Sequence, residues 1–308
     1  MKKAAFTFQQ PIFFTNPGWQ DYGLLDSGNG RKLERFGGIL LDRPEAEAIW
    51  QPALPTREWQ RADAVFHATA EESGGHWEYR RSLPEKWEVT CGSLHFWMQT
   101  TASRHVGLFP EQAPQWEWIM QRVKGADRQV RILNLFGYTG AASLAAAAAG
   151  AKVTHVDASR KVVGWAKENS LASRLPETAI RWIVDDAVKF VQREARRGSF
   201  YDGVILDPPK FGRGPKGEVW EFYRLIPQLL QYCQAVLSEQ PLFLMMTAYA
   251  VKASYLTLYN AVSEVMQRYK GMVQAGEILN VEQSAGRLLS TAIYALWSDS
   301  QPPNGGKL

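Results

Sequence analysis

Two patterns of apolar and polar positions divide the 308-residue chain, with a seam near Arg104–Trp118. Before the seam, short apolar stretches such as Gly37-Gly38-Ile39-Leu40-Leu41 and Leu94-His95-Phe96-Trp97-Met98 stand between Pro and Gly punctuation. Trp77–Arg80 and Trp87–Thr90 alternate large apolar with charged residues, as half-buried antiparallel strands do. Residues 1–104 therefore read as a small β-rich region. In residues 105–308 the texture changes to short apolar runs alternating with long helical stretches, the pattern of βαβ units and a parallel sheet.

The second half can be laid out in order. Val130–Leu135 is a buried strand that runs through Phe136-Gly137-Tyr138-Thr139-Gly140 into an alanine-rich helix ending at Gly150. Lys152–Val156 is the next strand and closes on Asp157; a helix follows over Ser159–Leu171. Strand three, Ile180–Val184, closes on Asp185-Asp186 before a helix over Ala187–Arg197. Strand four, Gly203–Leu206, closes on Asp207-Pro208-Pro209. A helix over Glu218–Leu237, a strand over Leu242–Met246 and a helix over Val251–Arg268 come next. The last two strands, Ala275–Leu279 and Ala292–Trp297, leave no room for a helix between them and must pair antiparallel.

Composition narrows the class. With 45% hydrophobic and 21% charged residues the chain has material for a core, which excludes intrinsic disorder and a disulfide-stapled miniprotein. Cys91 and Cys233 form no CxxC and cannot build a zinc site alone, and the five histidines show no ligand spacing, so no metal is expected. No run of ~18 apolar residues would span a membrane, and Met1-Lys2-Lys3 is followed by no apolar stretch of signal-peptide length. A cytoplasmic protein is the expectation. The net charge of +4 is compatible with a polyanionic partner but far below that of a dedicated nucleic-acid arm.

Ligands of an open α/β sheet sit beyond the carboxyl ends of its strands, where the strand order reverses. Four consecutive strands here end in residues suited to one ligand. The Phe136–Gly140 turn permits close backbone approach ahead of a helix N-terminus, but its glycines are spaced as GxxG, not the GxGxxG of a pyrophosphate site. Asp157 can accept from ribose hydroxyls, with Ala158 and Ser159 leading into the helix. Asp185 or Asp186, before Ala187, can accept from an adenine amino group; a helix N-cap is the alternative for each of these acids. Asp207-Pro208-Pro209-Lys210-Phe211 is the most specific element. Two prolines end the ladder and fix the exit, leaving rigid acceptors and an aromatic that can stack on a base.

These residues, together with Asn134-Leu135 and His155-Val156, resemble the class I S-adenosylmethionine-dependent methyltransferases. With Asp207–Phe211 included, the chain resembles the bacterial 23S ribosomal RNA methyltransferases that act on cytosine C5 or guanine N7. Gly107-Leu108-Phe109-Pro110-Glu111-Gln112 looks like the segment that leads into their catalytic domain. The resemblance covers about Gly107–Trp297 and is thin before that; it implies a Rossmann-like seven-stranded sheet, which with the pattern above makes an α/β fold, last strand pair antiparallel, over residues 105–308 beside a small β-rich N-terminal domain. It implies S-adenosyl-L-methionine as cofactor, with Asp157 on the ribose, Asp186 on the adenine and Gly137–Gly140 by the methionine moiety. It also implies an RNA substrate, ribosomal RNA foremost.

Two departures qualify the transfer. Members acting on cytosine C5 need a cysteine near the ends of strands four or five, whereas strand five here ends Met245-Met246-Thr247-Ala248-Tyr249 and Cys233 falls within a helix. The N-terminal RNA-binding module usual in these enzymes is absent from the pattern. The favoured expectation is methyl transfer to a base nitrogen, with Asp207 orienting it and Phe211 or Tyr249 stacking. A protein side chain or small molecule as acceptor, a catalytically silent cofactor-binding protein and an NAD-dependent oxidoreductase are the alternatives. Lys210, Arg213 and Lys216 form a basic, flexible loop that could meet phosphate; Arg193, Arg196 and Arg197 read as a solvated helix end, and His155 as a packed strand residue.

Overall fold

The computed structural model describes residues 10–69 and 74–299; the Met1–Gln9 stretch, read above as lacking a signal-length apolar run, lies outside them. In chain order the N-terminal half contributes strands β1 (Phe14–Asn16), β2 (Tyr22–Gly28), β3 (Arg31–Phe36) and β4 (Ile39–Pro44), then the short helix α1 (Thr56–Trp59). Strands β5 (Ala64–Ala68), β6 (Gly75–Tyr79), β7 (Trp87–Cys91) and β8 (Leu94–Met98) complete it. The C-terminal half runs α2 (Ala113–Lys124), β9 (Arg131–Leu135), α3 (Ala141–Ala148), β10 (Lys152–Asp157), α4 (Arg160–Ala172), β11 (Ile180–Val184), α5 (Ala187–Arg197) and β12 (Gly203–Leu206). It continues with β13 (Phe211–Arg213), β14 (Val219–Glu221), α6 (Phe222–Ala235), β15 (Phe243–Ala248), α7 (Tyr255–Met266), β16 (Met272–Val281) and β17 (Leu288–Ser298).

The main sheet has the order β1-β16-β17-β15-β12-β9-β10-β11. Its strands pair in parallel except where β17 inserts antiparallel between β15 and β16, as the short final connection requires. All seven expected strands are present, and the N-terminal half adds an eighth: β1 lies parallel to β16 at the sheet edge. The parallel register places Leu135, Val156, Leu206 and Met246 in one row. The residues beyond that row, Phe136, Asp157 and Asp207 among them, therefore emerge along one edge, with the order reversing between β9 and β12.

Three expected boundaries shift for local reasons. The Glu218–Leu237 helix begins only at Phe222, because Val219–Glu221 pairs with Phe211–Arg213. For the same reason the Lys210–Lys216 segment, expected to be a flexible loop, is largely a hairpin, closed by a Gly214 N–H to Glu218 carbonyl bond of 2.8 Å. The Val251–Arg268 helix starts at Tyr255, after a turn in which Ala250 takes φ 56°.

The smaller sheet, β2-β3-β4-β5-β6, and the β7-β8 hairpin pack against the main sheet. One hydrophobic core joins Phe36, Leu41 and Phe96 of the N-terminal half with Ile132, Met245 and Tyr294. A buried polar lattice accompanies it. Glu34 accepts from Tyr22 Oη at 2.9 Å and from Arg43 Nε at 2.9 Å and Nη2 at 2.5 Å, while Lys32 reaches Glu45 at 3.1 Å. Burial alone would raise the Glu34 carboxyl, yet Arg43 and Lys32 overcome it and hold it below the usual glutamate range.

Replacing Glu34 with Ala leaves the Arg43 guanidinium buried without its carboxylate. We expect a loss of ~3–5 kcal/mol in urea unfolding, partly recovered in an Arg43→Met double variant. The Glu34 contribution should be complete above the unfolded glutamate pKa and lost as pH falls through the lower folded value. A Glu34→Ala protein as stable as the parent would show that the lattice is not anchored there.

Candidate active site

The turn after β9 is held in an unusual backbone state. Phe136 and Tyr138 adopt φ 57° and 49°, left-handed values that cost a non-glycine residue ~1–3 kcal/mol and persist only where the surroundings impose them. Asp157 supplies much of that imposition. Its two carboxylate oxygens accept from Tyr138 N–H at 3.0 Å and Ser159 N–H at 2.9 Å, so one side chain ties the turn after β9 to the turn after β10. Burial raises the Asp157 carboxyl against the pull of these donors. Ser159, which follows Asp157 and Ala158, caps α4 by accepting from Val162 N–H at 3.4 Å.

The glycine at 137 has a steric reason. A Cβ there would stand 2.4 Å from His155 Cε1 and 2.5 Å from Nδ1. His155 is buried inside β10 as expected, lies within hydrogen-bond distance of Ser143 Oγ, 3.0 Å from Nδ1, and is kept neutral by burial, its pKa lowered to about 3. The Thr139 hydroxyl donates to the Gly107 carbonyl at 2.5 Å, which fastens the turn to the linking segment. Gly107 itself has φ 108°, and a Cβ on it would meet the Trp165 ring at 2.2 Å.

Asp185 and Asp186 follow β11 at the same edge. Asp186 caps α5, accepting from Lys189 N–H at 2.9 Å, and Ala187 opens the helix from a buried position. Asp185 accepts from Asp186 N–H at 2.9 Å and pairs with Arg193. Arg193, expected to be solvated at a helix end, is thus occupied by the site; Arg197 pairs with Glu194 at 3.2 Å.

At the end of β12, Asp207 Oδ2 accepts from Gln112 Nε2 at 2.7 Å. Burial raises its carboxyl to about 6, and the Gln112 donor opposes the shift. Gln112 belongs to a 3-10 turn, Pro110–Gln112, whose Pro110 carbonyl accepts from Asn16 Nδ2 of β1 at 2.9 Å; the same amide reaches Asn280 at 2.9 Å. Pro208 is buried. The carbonyl of exposed Pro209 accepts from Trp220 Nε1 at 2.6 Å, and the Trp220 ring packs on Phe136 with centroids 4.7 Å apart.

The structure therefore gathers Phe136–Gly140, Asp157–Ser159, Asp185–Ala187, Asp207 and Pro208 at one sheet edge. It sets Phe211 apart on the hairpin, 58% exposed, with the Lys210 ammonium 5.4 Å from its ring centroid. Tyr249 lies at the edge beyond β15, its hydroxyl bonded to Arg104 and its ring 5.5 Å from that guanidinium. Sequence reasoning gave no role to Gln112, Arg104 or His105; Gln112 stood in the quoted Gly107–Gln112 segment, but only the fold shows that it faces Asp207. Neither cysteine reaches the edge: Cys91 packs against the core from β7, and Cys233 is buried in α6 with its thiol pushed far up by burial. Among the described residues, no three His, Cys, Asp or Glu side chains are grouped to hold a metal ion.

A model of the S-adenosylmethionine-dependent methyltransferase family matches residues 51–256. The chain belongs to this family. The crystal structure of the SAM-dependent methyltransferase from Agrobacterium tumefaciens is 46% identical and superposes with a TM-score of 0.91, covering 95% of each chain. The structure of SMU.776 complexed with SAH shares the fold at 18% identity and a TM-score of 0.68, over 90% of this chain and 75% of that one. Among curated proteins, the ribosomal RNA large subunit methyltransferase K/L of Chromohalobacter salexigens is 29% identical over 200 residues, 64% of this chain and 25% of that protein. Its counterpart in Shewanella sp. (strain ANA-3) is 32% identical over 170 residues, 54% of this chain and 23% of that protein. The match thus spans about a quarter of these curated relatives. The cofactor of this methyltransferase is S-adenosylmethionine, and the donor set at the edge fits it. Asp157 and Asp186 each keep acceptor lone pairs beyond those used by backbone N–H groups.

Asp157→Ala should weaken S-adenosylmethionine binding by ~2–4 kcal/mol, since it removes a charged acceptor and unlatches the Tyr138 turn. Calorimetric titration checks this. Unchanged affinity in a folded variant would take Asp157 out of the cofactor site.

Proposed function

We propose that this methyltransferase transfers its methyl group to a base nitrogen of RNA, ribosomal RNA foremost, in the cytoplasm. The observation that carries the reading is the Asp207–Gln112 pair at the switch point, a half-buried carboxylate held by a side-chain donor beside the cofactor-side turn. The curated relatives, named as ribosomal RNA large subunit methyltransferases, support the choice of acceptor. Among the described residues no helix is long and apolar enough to cross a membrane.

When bound, S-adenosylmethionine supplies an electrophilic methyl group on a sulfonium. The work left to this chain is orientation and a dry, electrostatically suited pocket. Asp207, in its ionised form, accepts the N–H of the acceptor and aims the nitrogen lone pair; Gln112 fixes the carboxylate by donating to Oδ2. Asp157 and Asp186 hold the cofactor's ribose and adenine. Tyr249, braced by Arg104, offers a stacking face; exposed Phe211, with Lys210, Arg213 and Lys216, offers a base-and-phosphate contact on the β13–β14 hairpin. With Cys91 and Cys233 both remote from the edge, a cysteine adduct at cytosine C5 has no nucleophile here.

The decisive experiment is nucleoside mass spectrometry of total RNA from cells with and without the protein. A methylated nucleoside lost with the gene and restored by the parent, but not by Asp207→Ala, is the expected result. An unchanged RNA profile would move the small-molecule or protein acceptor ahead.

In vitro, Asp207→Ala should leave cofactor affinity nearly unchanged while turnover falls roughly 10²–10³-fold, the effect of losing one preorganised polar contact. The parent rate should fall as pH drops through about 6, where Asp207 takes up its proton, and Asp207→Asn should lack that acid limb. Neutralising Lys210 and Arg213 together should raise the apparent RNA constant and flatten its salt dependence, with the maximal rate nearly intact. A salt response identical to the parent's would reduce the hairpin to a solvated surface.

A further inference from the structure

A second group of charged side chains lies beside Asp207, and the mechanism above uses of it only Arg104, as the brace of Tyr249. Glu111, next to Gln112, is 7% exposed and faces a cavity at the seam between the two sheets. Its walls include Lys32 of β3, Arg43 of β4, Arg104 and His105 of the linking segment, and Tyr249 at the end of β15. Lys32 and Arg43 are matched by Glu45 and Glu34. Arg104 is not matched: among the described residues no carboxylate lies within ion-pair distance of it, and its guanidinium is shared between the Pro44 carbonyl at 3.3 Å and the Tyr249 hydroxyl. The Glu111 carboxyl meets no side-chain donor among the described residues, only its own backbone N–H.

We propose that this seam cavity is an anion subsite that takes one backbone phosphate of the acceptor strand, with Arg104 as its principal contact and Lys32 and Arg43 adding positive field from the N-terminal sheet. The proposal rests on the RNA reading above. Three cations here face the carboxylates of Glu34 and Glu45. Arg104, a partly buried guanidinium with no carboxylate in ion-pair range among the described residues and only the longer-range fields of Glu45, Glu34 and Glu111, gains from an incoming anion. The Arg fork matches a phosphodiester, and Tyr249 beneath it is continuous with the edge that carries Asp207.

The other titratable groups facing the cavity set the pH response. His105 stays neutral, lowered to about 3 by burial and by Arg43, Arg104 and Lys32. Tyr22, on β2, is held protonated by burial and Glu34. Glu111 decides the balance: burial raises it to about 7, against Lys32 and Arg43. Protonated, it leaves the cavity net positive and can donate to the phosphate; ionised, it cancels the excess charge. Anion affinity should therefore fall as pH rises through neutrality.

The test compares the ribodinucleotides ApA, CpC, GpG and UpU with analogues joined by a neutral methylphosphonate, titrated calorimetrically into the full chain saturated with SAH. At least one phosphodiester should bind tenfold or more tighter than its neutral analogue at pH 6. That advantage should shrink at least threefold by pH 8, vanish in Arg104→Gln and return in part in Arg104→Lys, with SAH affinity within twofold throughout. If Arg104→Gln fails to fold, Glu111→Gln serves instead: its phosphodiester advantage should be the same at pH 6 and pH 8. Equal binding of charged and neutral linkages by the parent, or an advantage indifferent to these substitutions, overturns the subsite. Tritiated methyl incorporation into RNA is scored separately. A parent that prefers phosphodiesters but methylates no RNA defeats the RNA reading and leaves the anion site standing.

Discussion

Asp157 is the side chain on which the site's geometry depends. Two oxygens of one carboxylate accept from two turns that belong to different βα units, and Tyr138 keeps its left-handed φ as a consequence. The same strand carries His155, whose ring fills the space that any side chain at 137 would need. Strand β10 thus dictates the path of the turn after β9 from both sides. A latch of this kind holds the turn because left-handed non-glycine residues without an external acceptor would relax. Asp157 is also suited to its second task. An oxygen that has accepted one N–H still has a lone pair for a ribose hydroxyl.

Much of this edge was legible in the sequence because it rests on local signals. Each of the four acids follows an apolar run, and a strand that ends on a polar residue at the sheet edge can be read from a single window. The βα alternation fixed the direction of the strands, and the short final connection fixed the antiparallel pair. What escaped was set by contacts distant in sequence. Asn16 lies 264 residues from Asn280 and 94 from Pro110, and both bonds are needed to see that β1 joins the main sheet and supports the Pro110–Gln112 turn. The β13–β14 hairpin was hidden by its composition, since Gly212, Gly214 and Pro215 read as a flexible loop. It is closed by tertiary bonds: Lys189 to Glu218 at 2.6 Å and Trp220 to the Pro209 carbonyl. The charge on Arg193 could be assigned to solvent only while its partner Asp185, eight residues earlier, was assigned to a ligand.

The two raised carboxyls, Asp207 and Glu111, owe their shifts to burial, yet their surroundings differ. Asp207 has one neutral donor, Gln112, so it ionises near 6 and is mostly charged at neutrality. Glu111 sits among cations that lower it and near Glu34, which raises it, and it remains near 7. The first is fit to accept from an N–H, the second to answer an incoming anion by keeping its proton. Neighbouring carboxyls with distinct protonation states can serve different contacts with one substrate.

This division has a structural counterpart. The residues proposed to hold the cofactor, Phe136–Gly140, Asp157 and Asp186, all come from the βα turns of the C-terminal half. The proposed acceptor side combines Asp207, Tyr249 and the β13–β14 hairpin of the C-terminal half with supports from the N-terminal half. Strand β1 carries Asn16, which holds the turn that presents Gln112 to Asp207, while β3 and β4 supply Lys32 and Arg43 to the cavity beneath Arg104. On the proposed reading the small sheet is a wall of the acceptor site. Its buried charges make sense on that account: a purely structural seam would be better served by apolar packing, since paired ions in a core add little net stability over apolar residues of similar volume. Here the lattice holds guanidinium and ammonium groups beside the cavity proposed to take an anion.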